Sequence, residues 1–367
     1  VPQVRAALTA LKEQADFSVA REGGVKREDL FAVQGWLPSE AAVDLKAELT
    51  ARGMAVAVQS LKPGPEEEPP TLIHLPKWAR PVDALLRMLG TVPGYREFDV
   101  SIPFLLALPL FTALLISDGG YGALLLLVPL LLYRQVSRLI GARFAQLLML
   151  VGAAALLWGV ITGTFFGFTL YTPLISVDLT ESSRVFMMWL SFTLGAVHLS
   201  IAQLWRSVHA WPDLRWLTGV GWALFIWGMY GVVNMFVLHA PMGWNTPWPY
   251  LLLTGAALAI GFANPGRNIA KSLALGVAQF PLSMLSAFSD VISYVRLMAE
   301  GLASSVLAVS FNEMAFSTDS QLLTGIVLVL GHSLNMGLAL IAMFAHGVRL
   351  NMLEFSSNLG MQWTGYA

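Results

Sequence analysis

The stretch Ser289–Ser305, SDVISYVRLMAEGLASS, sets an aspartate, an arginine and a glutamate between long apolar runs. A permanent charge in such surroundings is costly unless a partner or water meets it, so Arg296 is a functional candidate by default. At about 100° per residue, with Arg296 at zero, Ser286, Ser289, Ser293, Glu300 and Ser304 fall within about 80° on one side, and Asp290 slightly beyond. The last apolar segment repeats the pattern: Gln321, Thr324, His332, Asn335, His346 and Arg349 fall within an arc of about 100°. Such stripes face protein or water, because an unpaired polar group in hydrocarbon costs several kcal/mol. Two facing stripes would form an aqueous or proton-conducting seam. Arginine suits a fixed charge there, since it stays charged beside carboxylates that gain and lose protons. The simpler reading is an intrahelical Arg296–Glu300 ion pair at four-residue spacing. That reading leaves the serines, Asp290 and the second stripe without a role.

The elements that must position these residues are membrane helices. Of 367 residues, 56% are hydrophobic and 12% charged, with a mean hydropathy of +0.64, whereas a soluble domain carries about a quarter charged residues. From Ile102 onward, eight apolar stretches read as spans: 102–117, 119–133, 142–166, 184–205, 216–238, 249–263, 277–312 and 322–356. The last two exceed the roughly 20 residues of a perpendicular crossing and are expected to tilt. The fold class expected is a mainly α membrane protein, with a membrane domain over 99–367 and a small N-terminal α/β cytoplasmic arm over 1–98. In that arm FAVQGWLP and MAVAVQSL read as strands flanking a helix capped by Ser39 and ended by Gly53, and KPGPEEEPP reads as a linker. The chain opens at Val1 without methionine or signal peptide, which predicts a start inside a longer protein.

Net charge is −1, from 22 basic and 23 acidic residues, so no nucleic-acid partner is expected. The placement of the bases is informative. A cytoplasmic N-terminus puts Arg134, Arg138 and Arg143, then Arg206 and Arg215, then Arg267 and Lys271, on the cytoplasmic side, and both termini there. The opposite loops carry Asp178, Glu181, Glu313 and Asp319, with Arg184 the exception. Tryptophans such as Trp211, Trp216, Trp244 and Trp248 read as interface anchors. Cysteine is absent, which removes disulfides and thiolate metal sites; no metal or cofactor is expected. No G-x-x-x-x-G-K-[ST] loop occurs, so this chain is expected to hold no ATP site.

With these residues in place, SDVISYVRLMAEGLA followed by GHSLNMGLALIAMFAHGVRLNMLEFSSNLG resembles the last two membrane helices of the a/I subunit of rotary V-type and A-type ATPases. VQGWLP, EEEPPTLI, SDGGYG, GTFFGF and GAVHLS occur in the matching order. Residues 1–98 look like the membrane-proximal part of a larger arm. The resemblance implies the stator of a proton-driven motor in a prokaryotic plasma membrane. Its implied partners are a membrane rotor ring of small c/L-type subunits, each with a buried carboxylate, peripheral stalk subunits, a central-stalk connecting subunit and the lipid bilayer. It implies that Arg296 and Arg349 face the ring, and that two half-channels lead to it.

The half-channel candidates are Asp118, His198, Asp290, Ser293, Glu300, Ser304, His332, Asn335, His346 and Glu354. Asp118 either lines a half-channel or caps the next helix. His198 either relays protons or hydrogen-bonds a neighbouring helix. Glu354 is either the mouth of the inner half-channel or a solvated helix end. Glu300 stands where relatives are often apolar, and either belongs to a half-channel or competes for the arginine. Ser117 replaces a frequent glycine, expected to alter only the turn. The rival readings are a self-contained secondary transporter or ion channel, in which Arg296 meets an anion of the same chain, and a structural anchor for a stalk. Internal symmetry, which a transporter often carries, is absent from the sequence.

Overall fold

The computed structural model describes residues 2–27, 30–54, 56–64, 67, 69–71, 75–97, 99–263 and 269–365. Arg267 and parts of EEEPPTLI lie outside them. The described residues divide into two units, Val1–Leu72 and Ile73–Tyr366.

The first unit holds helix α1 (Pro2–Glu22), an antiparallel hairpin of β1 (Val25–Arg27) and β2 (Leu30–Ala32), and helix α2 (Ser39–Ala51). The helix starts at Ser39 with Pro38 in the N-cap position, and Gly53 follows its end at φ +71°. The two expected strands are corrected. FAVQGWLP contributes only its first two residues to β2, and MAVAVQSL forms no strand among its described residues. A strand persists where an apolar face is covered, and here Phe31, Val33, Trp36, Leu37, Met54 and Val56 are exposed.

The second unit is built on helices. Helix α3 (Pro81–Leu89) buries Val82, Leu85 and Leu86. Strand β3 (Thr91–Pro93) pairs with residues near the chain end, Trp363–Gly365 (β6), so residues 75–97 are tied to the C-terminus. There follow α4 (Ser101–Ile116), α5 (Gly119–Leu131), α6 (Tyr133–Ile140), α7 (Ala142–Thr162), a short hairpin of β4 (Thr164–Phe165) and β5 (Phe168–Thr169), α8 (Glu181–Ala210), α9 (Trp216–Leu238), α10 (Trp248–Phe262), α11 (Ile269–Ser293), α12 (Val295–Phe316) and α13 (Gln321–Ala342). The last helix continues through two π-helical turns, Met343–Gly347 and Leu350–Phe355, into α14 (Ser356–Leu359).

Five helices among the described residues are long and apolar enough to cross a membrane, or six if the α5–α6 pair, bent by 96°, is one span. Helices α4 and α10 are apolar but shorter. The expected eight crossings therefore depend on these shorter elements. Helices α11 and α12 together run 47 residues, and the final helix 39. At 1.5 Å per residue these reach about 70 and 60 Å, twice the bilayer core of about 30 Å.

Helices α5 and α7 meet backbone to backbone. A Cβ at Gly122 would lie 2.3 Å from Leu156 N, and one at Gly152 2.5 Å from Leu126 N. Above this contact the turn between α4 and α5 hangs on Asp118. Its Oδ1 accepts from the N–H groups of Gly120 (2.7 Å), Tyr121 (3.2 Å) and Phe166 (2.9 Å), and its Oδ2 from Gly167 (2.8 Å). One carboxylate thus caps α5 and anchors the β4–β5 turn.

Replacing Gly152 with valine forces the helices apart and should cost roughly 1–3 kcal/mol; unchanged thermal unfolding of the purified protein would show that the close contact is not needed. Asp118→Ala orphans four N–H groups and should cost about 2 kcal/mol or more. A fully stable Asp118→Ala variant would contradict the anchoring role.

Candidate functional site

The polar residues of α12 and the last helix meet across an antiparallel seam. Near its far end, Thr324 Oγ1 donates to Ala315 O (3.0 Å) and His332 Nε2 lies 3.0 Å from Asn312 Oδ1. Next, Asn335 Nδ2 donates to Ser304 O (2.8 Å). Then His346 Nε2 stands 3.2 Å from Glu300 Oε1, and Arg296 Nη1 3.8 Å from Glu354 Oε1. At the near end Asn358 Nδ2 donates to Asp290 Oδ2 (2.7 Å). Of the two predicted stripes, Glu300 meets His346 and Ser304 meets Asn335 across this seam, whereas Arg296 and Asp290 find partners, Glu354 and Asn358, that lay in neither stripe.

The centre holds three charges on two helices. Glu354 Oε1 is 3.8 Å from Arg296 and 3.7 Å from Arg349 Nε. The Glu354 side chain is 6% exposed, against 30% for Arg296 and 48% for Arg349. Glu354 is thus no solvated helix end. Nor do Arg296 and Glu300 form the simple intrahelical pair; each finds its partner on the facing helix. Arg349 and Glu354 are five residues apart, which an α-helix places about 140° apart. The π-helical turn Leu350–Phe355, bonded i→i+5, brings them to one side.

Two polar clusters flank this centre. One contains Tyr121, His332, Asn335 and Asn312: Tyr121 Oη is 2.7 Å from His332 Nδ1 and accepts from Asn335 Nδ2 (3.0 Å), while Asn312 Nδ2 donates to Phe166 O (2.7 Å). Ser304 Oγ donates to Ile116 O (3.0 Å) and ties α12 to α4. The other contains Asp290, Asn358 and Gln203, where Gln203 Nε2 donates to Asn358 Oδ1 (2.9 Å) and Asn358 Nδ2 also donates to Glu354 O (2.8 Å). Ser293 Oγ turns back to Asp290 O (2.7 Å) at the end of α11.

His198 lies beside the second cluster but outside its network. Its Nδ1 is 2.7 Å from Tyr294 Oη, and its ring stacks on Phe355 at 4.5 Å and meets Phe111 edge-on at 5.0 Å. Tyr294 is fully buried at the break between α11 and α12, two residues before Arg296. The histidine thus ties α8 to the origin of the arginine's helix. Asp118 is spent on four backbone N–H groups and stands apart from the central charges.

Tyr121, Asn312, Asn358, Gln203 and Tyr294 were missed by the pattern reading. Asn358, one turn beyond Glu354, and Gln203, in the apolar segment with His198, were visible as polar residues in apolar helices. Tyr121 carried no signal of its own, because tyrosine is at home in a membrane helix. Among the described residues, no group of three or more His, Asp or Glu side chains could hold a metal ion.

No family model matches the chain. It is 33% identical over 369 residues to V-type ATP synthase subunit I of Borreliella burgdorferi, covering 93% of this chain and 60% of that protein. It is 33% identical over 336 residues to V-type ATP synthase subunit I 1 of Treponema pallidum, covering 86% and 54%. To A-type ATP synthase subunit I of Methanocaldococcus jannaschii it is 26% identical over 378 residues, covering 90% and 54%. The chain therefore spans between a half and two thirds of the length of these relatives. Along about nine tenths of its own residues, with SYVRLMAEG and HGVRLNMLEF facing each other across one seam, it is a homologue of subunit I of the V-type and A-type ATP synthases.

Proposed function

We propose that this chain is the membrane stator of a proton-driven rotary ATP synthase or ATPase, and that Arg296 and Arg349 hold the ionised carboxylate of a neighbouring rotor helix as it passes. The observation that carries the reading is the convergence of two arginines from different helices at the centre of the seam. Two guanidiniums share one buried carboxylate, Glu354, and both remain partly exposed. Glu300 faces His346 and neither guanidinium, so two partly exposed guanidiniums on the face of a span can accept an anion from outside the chain. Exposed alanines, Ala299, Ala303 and Ala345, lie near the two arginines beside exposed Leu353, and small side chains let another helix approach closely.

In this reading the two polar clusters are the half-channels. The cluster of Asp290, Asn358 and Gln203 leads from the side of the chain termini to Glu354. That of Tyr121, His332, Asn312 and Asn335 leads from the other side toward Glu300 and His346. Arg296 and Arg349 lie between, where a fixed positive charge repels a proton and blocks direct passage. An ionised ring carboxylate is favoured beside the arginines, and protonation releases it into lipid. Counting α4, α5 and α10 with the five long helices gives eight crossings, with both termini cytoplasmic and the last two helices steeply tilted. ATP chemistry belongs to other subunits; the partners are the rotor ring, the peripheral stalk and the central-stalk connector.

ATP-driven acidification of vesicles containing the assembled complex should vanish in Arg296→Gln at equal assembly. Pumping that survives would remove Arg296 from the ring-facing role. Glu300→Gln and His346→Gln should each slow pumping by at least about tenfold. The double variant should be no slower than the worse single one, because the two act as a unit. Fully multiplicative losses would show that the pair does not share one proton path.

A further inference from the structure

Helix α6, YRQVSRLI, leaves α5 at 96°, so if α5 crosses the membrane then α6 lies along its surface. At about 100° per residue, Tyr133, Val136, Leu139 and Ile140 fall within an arc of about 120°, and Arg134, Gln135, Ser137 and Arg138 occupy the rest. No residue of α6 is buried, and Leu139 is 86% exposed. An apolar arc that the protein covers only in part, at right angles to a span, is the signature of an interfacial helix.

The charges on its other face are unmatched. Arg143, at the start of α7, is held by Asp83, which also accepts from Arg87. Among the described residues no acidic group pairs with Arg134 or Arg138. They stand one turn apart, about 40° from each other around the helix. The elbow between α5 and α6 forms a concavity of about 410 Å³ lined by Leu131, Leu132, Tyr133, Arg134 and Gln135. Arginine at its polar edge and leucine on its walls match a phosphate above an acyl chain.

We propose that α6 lies in the membrane interface and that Arg134 and Arg138 together bind the phosphodiester of an anionic phospholipid whose acyl chain enters the α5–α6 elbow. Two guanidiniums one turn apart offer paired N–H donors to the phosphate oxygens. A zwitterionic lipid brings its own cation to the same place and is disfavoured. The inference rests on α5 crossing the membrane and not on the proton-translocation reading, so it stands or falls separately.

The chain contains no cysteine, so single cysteines can carry labels. The assembled complex, with Ser137→Cys or Leu139→Cys, is reconstituted in phosphatidylcholine vesicles containing a minor share of phosphatidylglycerol. A spin label at 139 should meet oxygen dissolved in lipid, and one at 137 a water-soluble nickel chelate. A fluorophore at 137 should be quenched by headgroup-spin-labelled phosphatidylglycerol in clear preference to the phosphatidylcholine analogue. That preference should fall roughly fivefold in Arg134→Gln or Arg138→Gln and about 25-fold in the double variant. Arg134→Lys/Arg138→Lys should keep most of it. Equal quenching by both lipids, or a preference that survives the double glutamine variant, overturns the proposal. So does a label at 139 shielded from both lipid and water, which would mean that a protein partner covers the helix.

Discussion

A single buried carboxylate between two guanidiniums governs this membrane unit. At about 4 Å and an effective dielectric near 20, each pairing is worth roughly 4 kcal/mol of Coulomb attraction, a large share of what desolvation costs each ion. Glu354 cannot neutralise both Arg296 and Arg349, which approach it from different helices. The seam between α12 and the last helix is therefore held together at its centre, with both guanidiniums left partly exposed at its face. Removing the carboxylate would leave two cations without a counter-charge. Removing one arginine would leave a balanced pair.

The surrounding structure keeps that arrangement in register. Asn335 and Ser304 lock the hairpin on one side of the charges, and Asn358 with Asp290 on the other. Behind it, His198 and Tyr294 fix the point where α11 ends and α12 begins. On the last helix, two π-helical turns bracket Arg349 and rotate Glu354 onto the arginine side. Turns of this kind are less stable than α-helix and recur at functional sites. Here their effect is direct: without the second one, Glu354 and Arg349 would point in different directions.

The parts of the stripes that lie on α12 and α13 were legible because both helices are regular there. A period of 3.6 residues placed Arg296, Glu300 and Ser304 on one face and His332 and Asn335 on another, and those faces meet. Periodicity gave the faces but not the pairs. Arg296 and Glu300, four residues apart, suggested each other, while the fold sends one to Glu354 and the other to His346. The Arg349–Glu354 contact was hidden by the π-helical turn, which nothing in the local sequence announces. SDGGYG and GTFFGF were recognisable as separate motifs, whereas only coordinates join them through the carboxylate of Asp118. The N-terminal strands failed for a different reason. Alternating apolar residues make a strand only when something covers them, and those of the first unit are exposed.

The account stands on the claim that the face bearing Arg296 and Arg349 meets a helix of another chain. Disulfide cross-linking in the assembled complex tests this directly, with single cysteines at Ala345 and Ala299 beside the arginines and at exposed Val160 on α7 as a control, against cysteines along the rotor helix. The account predicts cross-links from positions 345 and 299, strongest near the rotor carboxylate, and none from 160. Cross-links from 160, with none from 345 or 299, would place the rotor on another face and contradict it.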